Sequence, residues 1–362
     1  MRLDTNVLVI GGGPAGATAA RVLSDNGLDV ILLERNLAFA KPCGGGLSMT
    51  AFEEFGIPRH LIQEEVHTIR LVSPSGEKVD IGLGRSPLTV IDRRVFDPEL
   101  RRLAEERGAR IVEGEFLDVS GGVKCVVEMT DGRERHEITC SHIIASDGVN
   151  SRVRTAIGIK PARAFFTLSE RIVGPSSGCC EFWFGTHHAP HSYSWVFPAS
   201  DGISIGTGSH ERGTIKECLD RFKERSGIRT EGERRVYRIP VWSGDLYNKD
   251  RVLFAGDSAG QVLPLTYEGI YYAMRSGEYA ARAIIENKVE NYKKMWKSKF
   301  QRRFALMNAL GDHFLKDDVS AGRLVALHRR PEIQEASLRL WTMKDSGGSL
   351  AGYIRFFGKF LR

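Results

Sequence analysis

At 362 residues the chain is too long for one ordinary core and fits two or three structural units, each able to bury a proper interior and enclose a large cofactor. With 42% hydrophobic and 27% charged residues it reads as globular, and no run of eighteen or more apolar residues predicts a spanning helix. The formal charge of +6, from 51 basic and 45 acidic residues, gathers in Lys288 to Arg303 and at the C-terminus, without the interleaved aromatics of a nucleic-acid module, so no nucleic-acid partner is expected.

An apolar strand pattern begins within six residues of Met1, where a secretory signal would place a basic segment and an apolar run, so cytoplasmic residence is expected. Cys43, Cys125, Cys140, Cys179, Cys180 and Cys218 lack CxxC pairs and metal-ligand spacing. Reduced thiols and no metal site follow.

Val7 to Ile10 is an apolar run ending in glycines. Ala15 to Leu23 suits a helix, and Val30 to Leu33 is a second apolar run closed by Glu34. Strand, turn, helix, strand opens a parallel α/β sheet. Around Val66 to Ile91 short alternating segments with Ser73-Pro-Ser-Gly76 predict hairpins, Phe96 to Gly108 a helix, and Asp131-Gly132 a hairpin turn. Ile143 to Ala145 reads as a buried strand leading into Asp147-Gly148. The segment 163–250, rich in aromatics, Gly and Pro, predicts a second sheet. After Val252 to Ala255 the chain is mostly helical.

Gly11-x-Gly13-x-x-Gly16 follows a strand and opens a helix, with Ala15 inside the turn and Glu34 eighteen residues after Gly16. Gly11 permits the tight turn, Gly13 lets backbone N–H groups approach a pyrophosphate, and Gly16 lets helix and strand pack. Glu34 can accept from ribose hydroxyls. This fingerprint alone does not separate NAD from FAD.

Two further motifs are Ala145-Ser-Asp147-Gly148 and Ala255-Gly256-Asp257, the latter followed by Gly269-Ile270. The ordered set resembles the p-hydroxybenzoate hydroxylase superfamily of FAD proteins. That resemblance implies that Asp257 binds the ribitol hydroxyls and that the backbone at Gly269 and Ile270 meets the pyrimidine end of the flavin at a helix N-terminus. It also carries over a cofactor arginine to Arg93 and a backbone contact to adenine at about Leu117.

Within the superfamily the chain is most similar to the geranylgeranyl reductase family. Pro42-Cys43-Gly44-Gly45-Gly46 matches its Cys-Gly segment, which lies along the flavin, and Tyr193-Ser-Trp195-Val-Phe197-Pro198, with Gly206-Thr-Gly208 beyond, matches its Tyr-x-Trp-x-Phe-Pro…Gly-x-Gly signature. The implied activity is saturation of isolated C=C bonds in a prenyl chain of a lipid or quinone. Reduced FAD delivers hydride and Cys43, or water it orders, takes part in protonation. The implied electron donor is NAD(P)H or a ferredoxin-like protein. Tyr193, Trp195 and Phe197 alternate along a strand, presenting one face to an aromatic prenyl cavity. Tyr267-Glu268 stands where many relatives have Gly-Gly or Gly-Glu, which makes the substrate pocket bulkier there.

The expected architecture is α/β. A glutathione reductase-type, doubly wound parallel FAD-binding sheet (1–65, 91–162 and 250–290) is joined to an antiparallel β-rich substrate domain (66–90 and 163–249) and a helical C-terminal region (291–362). Residues 353–362, with aromatic and basic faces, resemble an interfacial helix that would rest on the inner face of a membrane. The competing readings are an FAD-dependent aromatic monooxygenase and a prenyl-binding escort protein on the same fold.

Overall fold

A computed structural model of the chain describes residues 2–85, 87–121 and 125–342. Among them the helices are α1 (Pro14–Asp25), α2 (Met49–Phe55), α3 (Arg93–Glu105), α4 (Arg152–Ala156), α5 (Ile215–Ser226), α6 (Ile270–Ile285), α7 (Asn291–Phe314), α8 (Asp318–Leu327) and α9 (Pro331–Thr342).

Val252–Phe254, Arg135–Ala145, Arg2–Ile10, Val30–Glu34 and Arg110–Glu113 form five adjacent parallel strands in that order. Their central residues are apolar without alternation, as a sheet covered on both faces requires. Val7, Val9, Val30 and Leu32 pack under α1, α3 and α6, while Leu8, Ile10, Ile31 and Leu33 pack under the excursion carrying Phe116, Val127 and Met129. The excursion pairs Cys125–Thr130 with the early part of Arg135–Ala145 and with Glu115–Gly121, turning at Asp131-Gly132.

The second sheet takes Thr68–Val72 and Lys78–Gly82, a hairpin around Ser73 to Gly76, and joins them to Cys180–Trp183, Ser194–Ala199, Gly202–Ser209, Ala164–Val173 and Glu233–Pro240. Gly46–Ser48, Leu88–Ile91 and Ile62–Val66 make a small third sheet. The segment 163–250, expected to form the second sheet, also contains helix α5. Ile215, Cys218, Leu219 and Phe222 recur at helical spacing and are buried against the sheet, with charged residues between them, so the periodicity of 3.6 wins there. Helices α8 and α9 close over one face of this sheet, Val325 packing with Leu71, Phe184 and Tyr193. The expected interfacial stretch 353–362 lies outside the described residues.

Candidate active site

The turn after the first strand is built by glycines for two different reasons. Gly11 has φ +102°, and a Cβ there would lie 2.4 Å from the Ser146 carbonyl oxygen. A Cβ on Gly16 would lie 1.9 Å from the Gly11 oxygen, so α1 can seat against the strand only without a side chain. A Cβ on Gly13 would meet nothing within 4 Å. Gly13 therefore opens onto a cavity, at the N-terminus of α1.

That cavity measures about 480 Å³ and gathers Gly11, Gly13, Ala15, Glu34, Cys43, Gly44, Gly45, Gly46, Arg93, Asp147, Gly256, Asp257, Gly269 and Ile270, with Tyr193, Trp195, Phe197, Gly208 and Tyr267. Four expected residues do not line it. Gly16 is consumed by packing; Pro198 lies within the sheet, paired with Ile203. Gly206 sits opposite Trp195, and a Cβ on it would be 2.2 Å from the indole. It is the seat of that ring. At the start of the strand Glu115–Gly121 the cavity meets Gly114, Glu115 and Phe116, and Leu117 does not line it.

The polar groups at one end suit a dinucleotide. Glu34 accepts from the Gly12 N–H at 2.6 Å and the Asn36 N–H at 3.0 Å, which fixes its carboxylate at the second strand's end. Asp147 accepts from the Val153 N–H through Oδ2, while its buried Oδ1 has no hydrogen-bond partner among the described residues and its pKa is raised by burial. Asp257 lies beside Gly269 at the start of α6, so two helix N-termini face the same space. Asp257 accepts from Lys41, whose ammonium also lies 5.0 Å over the Tyr237 ring. Burial works against the Lys41 charge, but Asp257 outweighs it and holds the pKa above the ordinary lysine value.

In the middle of the cavity, where Cys43 also lines the wall, Arg93 holds Asp97 by two hydrogen bonds of 2.6 Å. The glycines after Cys43 are crowded by the protein itself. A Cβ on Gly44 would be 2.7 Å from the Phe197 ring, and one on Gly45, at φ +77°, 2.3 Å from the Ile91 oxygen. The Cys-Gly segment is thus pressed onto the aromatic strand. The Trp195 Nε1 is buried there and finds no hydrogen-bond partner among the described residues.

The far end is mainly apolar, with His328 and Ser337 hydrogen-bonded to each other in its wall at 3.0 Å. Ile69, Leu71, Phe182 and Phe184 come from the second sheet, and Leu324, Leu327, Leu338 and Trp341 from α8 and α9. Phe182 makes edge contacts with Tyr193 at 5.1 Å and Phe197 at 5.2 Å. Sequence reasoning missed these residues together with Lys41, Arg101 and Phe165. The one available signal was Gly208, whose missing side chain makes room for the Phe165 ring.

Residues 4–174 match the FAD binding domain family. Geranylgeranyl diphosphate reductase of Rhodobacter capsulatus is 30% identical over 94% of this chain and 92% of its own length. The chain belongs to the geranylgeranyl reductase family. The chloroplastic geranylgeranyl diphosphate reductase of Oryza sativa is 31% identical over 84% of this chain and 71% of the relative. The crystal structure of a geranylgeranyl bacteriochlorophyll reductase-like protein from Thermoplasma acidophilum superposes with a TM-score of 0.85 at 26% identity, covering 100% of both chains. As a member of this family the chain binds FAD. The open face at Gly13, the two helix N-termini and the unsatisfied Asp147 Oδ1 fit that cofactor.

Proposed function

We propose that this protein saturates isolated C=C bonds of a prenyl chain with reduced FAD, and that Gly13, Glu34, Asp147, Asp257 and the backbone at Gly269 and Ile270 hold the cofactor. The observation that carries this reading is the continuity of a single cavity. It runs from these polar groups, past Cys43, into a chamber of aliphatic and aromatic side chains. A prenyl chain offers only apolar surface and π-electrons, and such a chamber is its complement. The family's named reductases support the same reading over the aromatic monooxygenase.

Bound and reduced, the flavin supplies hydride. An isolated alkene has no carbonyl to stabilise developing charge, so positioning and a proton are what the protein must add. Tyr193, Trp195 and Phe197 form the wall that orients the chain, and the Cys-Gly segment lies directly against Trp195 and Phe197. Cys43, or water it orders, gives up its S–H or O–H proton to the second carbon, forming the C–H bond that completes the saturation. Closure by α8 and α9 keeps water out. Electrons come from outside the chain, from NAD(P)H or a ferredoxin-like protein, because only one dinucleotide fingerprint is present. No helix among the described residues is long and apolar enough to cross a membrane. A lipid-borne substrate would therefore be met by peripheral contact with the inner membrane face.

The reading is tested by reducing the flavin anaerobically with dithionite and adding geranylgeranyl lipids or a prenylated quinone. Return of the oxidised flavin spectrum with unsaturated chains, and none with saturated ones, is expected. A flavin that stays reduced with every prenyl compound contradicts it.

A further inference from the structure

The loop 264–268, between the Asp257 turn and α6, carries two non-glycine residues in the left-handed region, Leu265 at φ +70° and Tyr267 at φ +55°. A bulky residue takes this conformation only when its surroundings over-determine it, and such strain gathers at functional positions. Here the surroundings are specific. The Tyr193 hydroxyl donates to the Thr266 oxygen at 2.6 Å, and the Tyr267 N–H donates to the Leu263 oxygen at 3.0 Å. The loop is fastened to the aromatic strand and held in its strained form. The Tyr267 ring then contacts two others, Phe165 at 4.5 Å and Tyr193 at 5.7 Å. All three rings line the cavity; Phe165 lies on the strand Ala164–Val173, and Tyr193 and Tyr267 pack with Leu71, Phe184 and Val325. The strained loop holds the Tyr267 ring in the cavity wall against both of these rings.

We infer that Tyr267 is a specificity-determining residue: a wall across the cavity that stops a prenyl chain from running past Tyr193 toward Phe165, and so limits the chain length the site accepts. This rests on the prenyl-reductase reading above. Burial pushes the Tyr267 hydroxyl up to about 12, so the ring is neutral and acts by its bulk. Glycine at 267 would remove the ring and adopt the same backbone without strain.

The test compares FAD-loaded wild type, Tyr267→Gly and Tyr267→Phe on geraniol, farnesol, geranylgeraniol and geranylfarnesol, with binding of the fully saturated alcohols followed by flavin absorbance as a readout that needs no turnover. Tyr267→Gly is expected to raise the longest-to-shortest ratio of kcat/KM, and of affinity, by about tenfold or more, the scale on which an apolar wall discriminates. Tyr267→Phe is expected to keep the wild-type ratio. If Tyr267→Gly does not retain flavin, Tyr267→Leu is read in the same way. A ratio moved by less than about twofold in an active variant overturns the wall while leaving the reductase intact. A wild type that neither reduces nor binds any of these alcohols overturns the underlying reading, and the wall with it.

Discussion

Alanine at position 13 separates the cofactor cradle from the fold that carries it. Gly13 precedes α1 with φ −75° and ψ −174°, extended backbone that any residue adopts, and its added methyl would meet nothing within 4 Å among the described residues. In the apoprotein the loss of glycine's unfolded-state freedom stabilises by about 0.4–1 kcal/mol. Alanine's poorer capping costs a similar amount, roughly 0.5–1 kcal/mol. Stability should therefore change by less than about 1 kcal/mol. With FAD the same methyl stands where backbone N–H groups approach phosphate. Losing one hydrogen bond to a charged group, at about 1.5–3 kcal/mol, weakens binding by roughly ten- to a hundredfold. Gly16→Ala is the control, because its Cβ would lie 1.9 Å from the Gly11 oxygen and 2.5 Å from Ser146 Oγ. It should destabilise the apoprotein by about 1–3 kcal/mol or more. Apoproteins are compared by urea unfolding and then titrated with FAD by flavin fluorescence. Wild-type FAD affinity in Gly13→Ala, or an apoprotein as damaged as Gly16→Ala, would refute the reasoning.

Cys43→Ala should slow prenyl reduction by about 10²–10⁴-fold while leaving the flavin spectrum and the binding of saturated chains intact; turnover within about twofold of wild type removes the thiol from proton transfer. Gly206→Ala puts a methyl 2.2 Å from the Trp195 ring and 2.7 Å from the Leu168 oxygen, so stability should fall by about 1–3 kcal/mol with an altered near-UV signal from the displaced indole. An unchanged melting curve and near-UV spectrum would show that the seat is not tight. Burial first, then neighbouring positive charge, lowers His188 to about 4, so the native state refuses a proton that the unfolded chain accepts near 6.5. Its contribution, roughly 3 kcal/mol, is fully present above about pH 6.5 and is lost as pH falls toward 4. Melting curves of wild type and His188→Asn across that window check the sign; equal slopes would exclude His188 as the source.

The cofactor end of the site was legible because its signals are local. Gly11, Gly13 and Gly16 are forced by one turn, and Glu34 closes the next strand. The aromatic alternation of Tyr193, Trp195 and Phe197 also pointed at the cavity that these side chains line. What was not legible is brought together over long separations. Lys41 reaches Asp257 across 216 positions, and Leu338 and Trp341 join Phe182 and Phe197 only once α9 has closed on the second sheet. Nothing local marks Leu338 as a cavity wall, since a half-buried apolar residue on a helix is ordinary packing. Gly44 and Gly206 read as backbone glycines, yet each is fixed by an aromatic ring from a distant segment or a neighbouring strand. Helix α5 was hidden for another reason. Its four apolar positions sit in a stretch whose aromatics, Gly and Pro pointed to strands, and the helical period prevails only over its own 12 residues.

The central claim, that the apolar chamber presents a prenyl double bond to reduced FAD, is tested most directly by product mass. The dithionite-reduced holoprotein is incubated anaerobically with geranylgeranyl lipids, and the products are read by mass spectrometry. The account predicts products heavier by two hydrogens for each bond saturated, and none with the oxidised protein. Unchanged lipids, together with oxygen-dependent gain of one oxygen atom on an aromatic compound, would contradict it and identify a monooxygenase in its place.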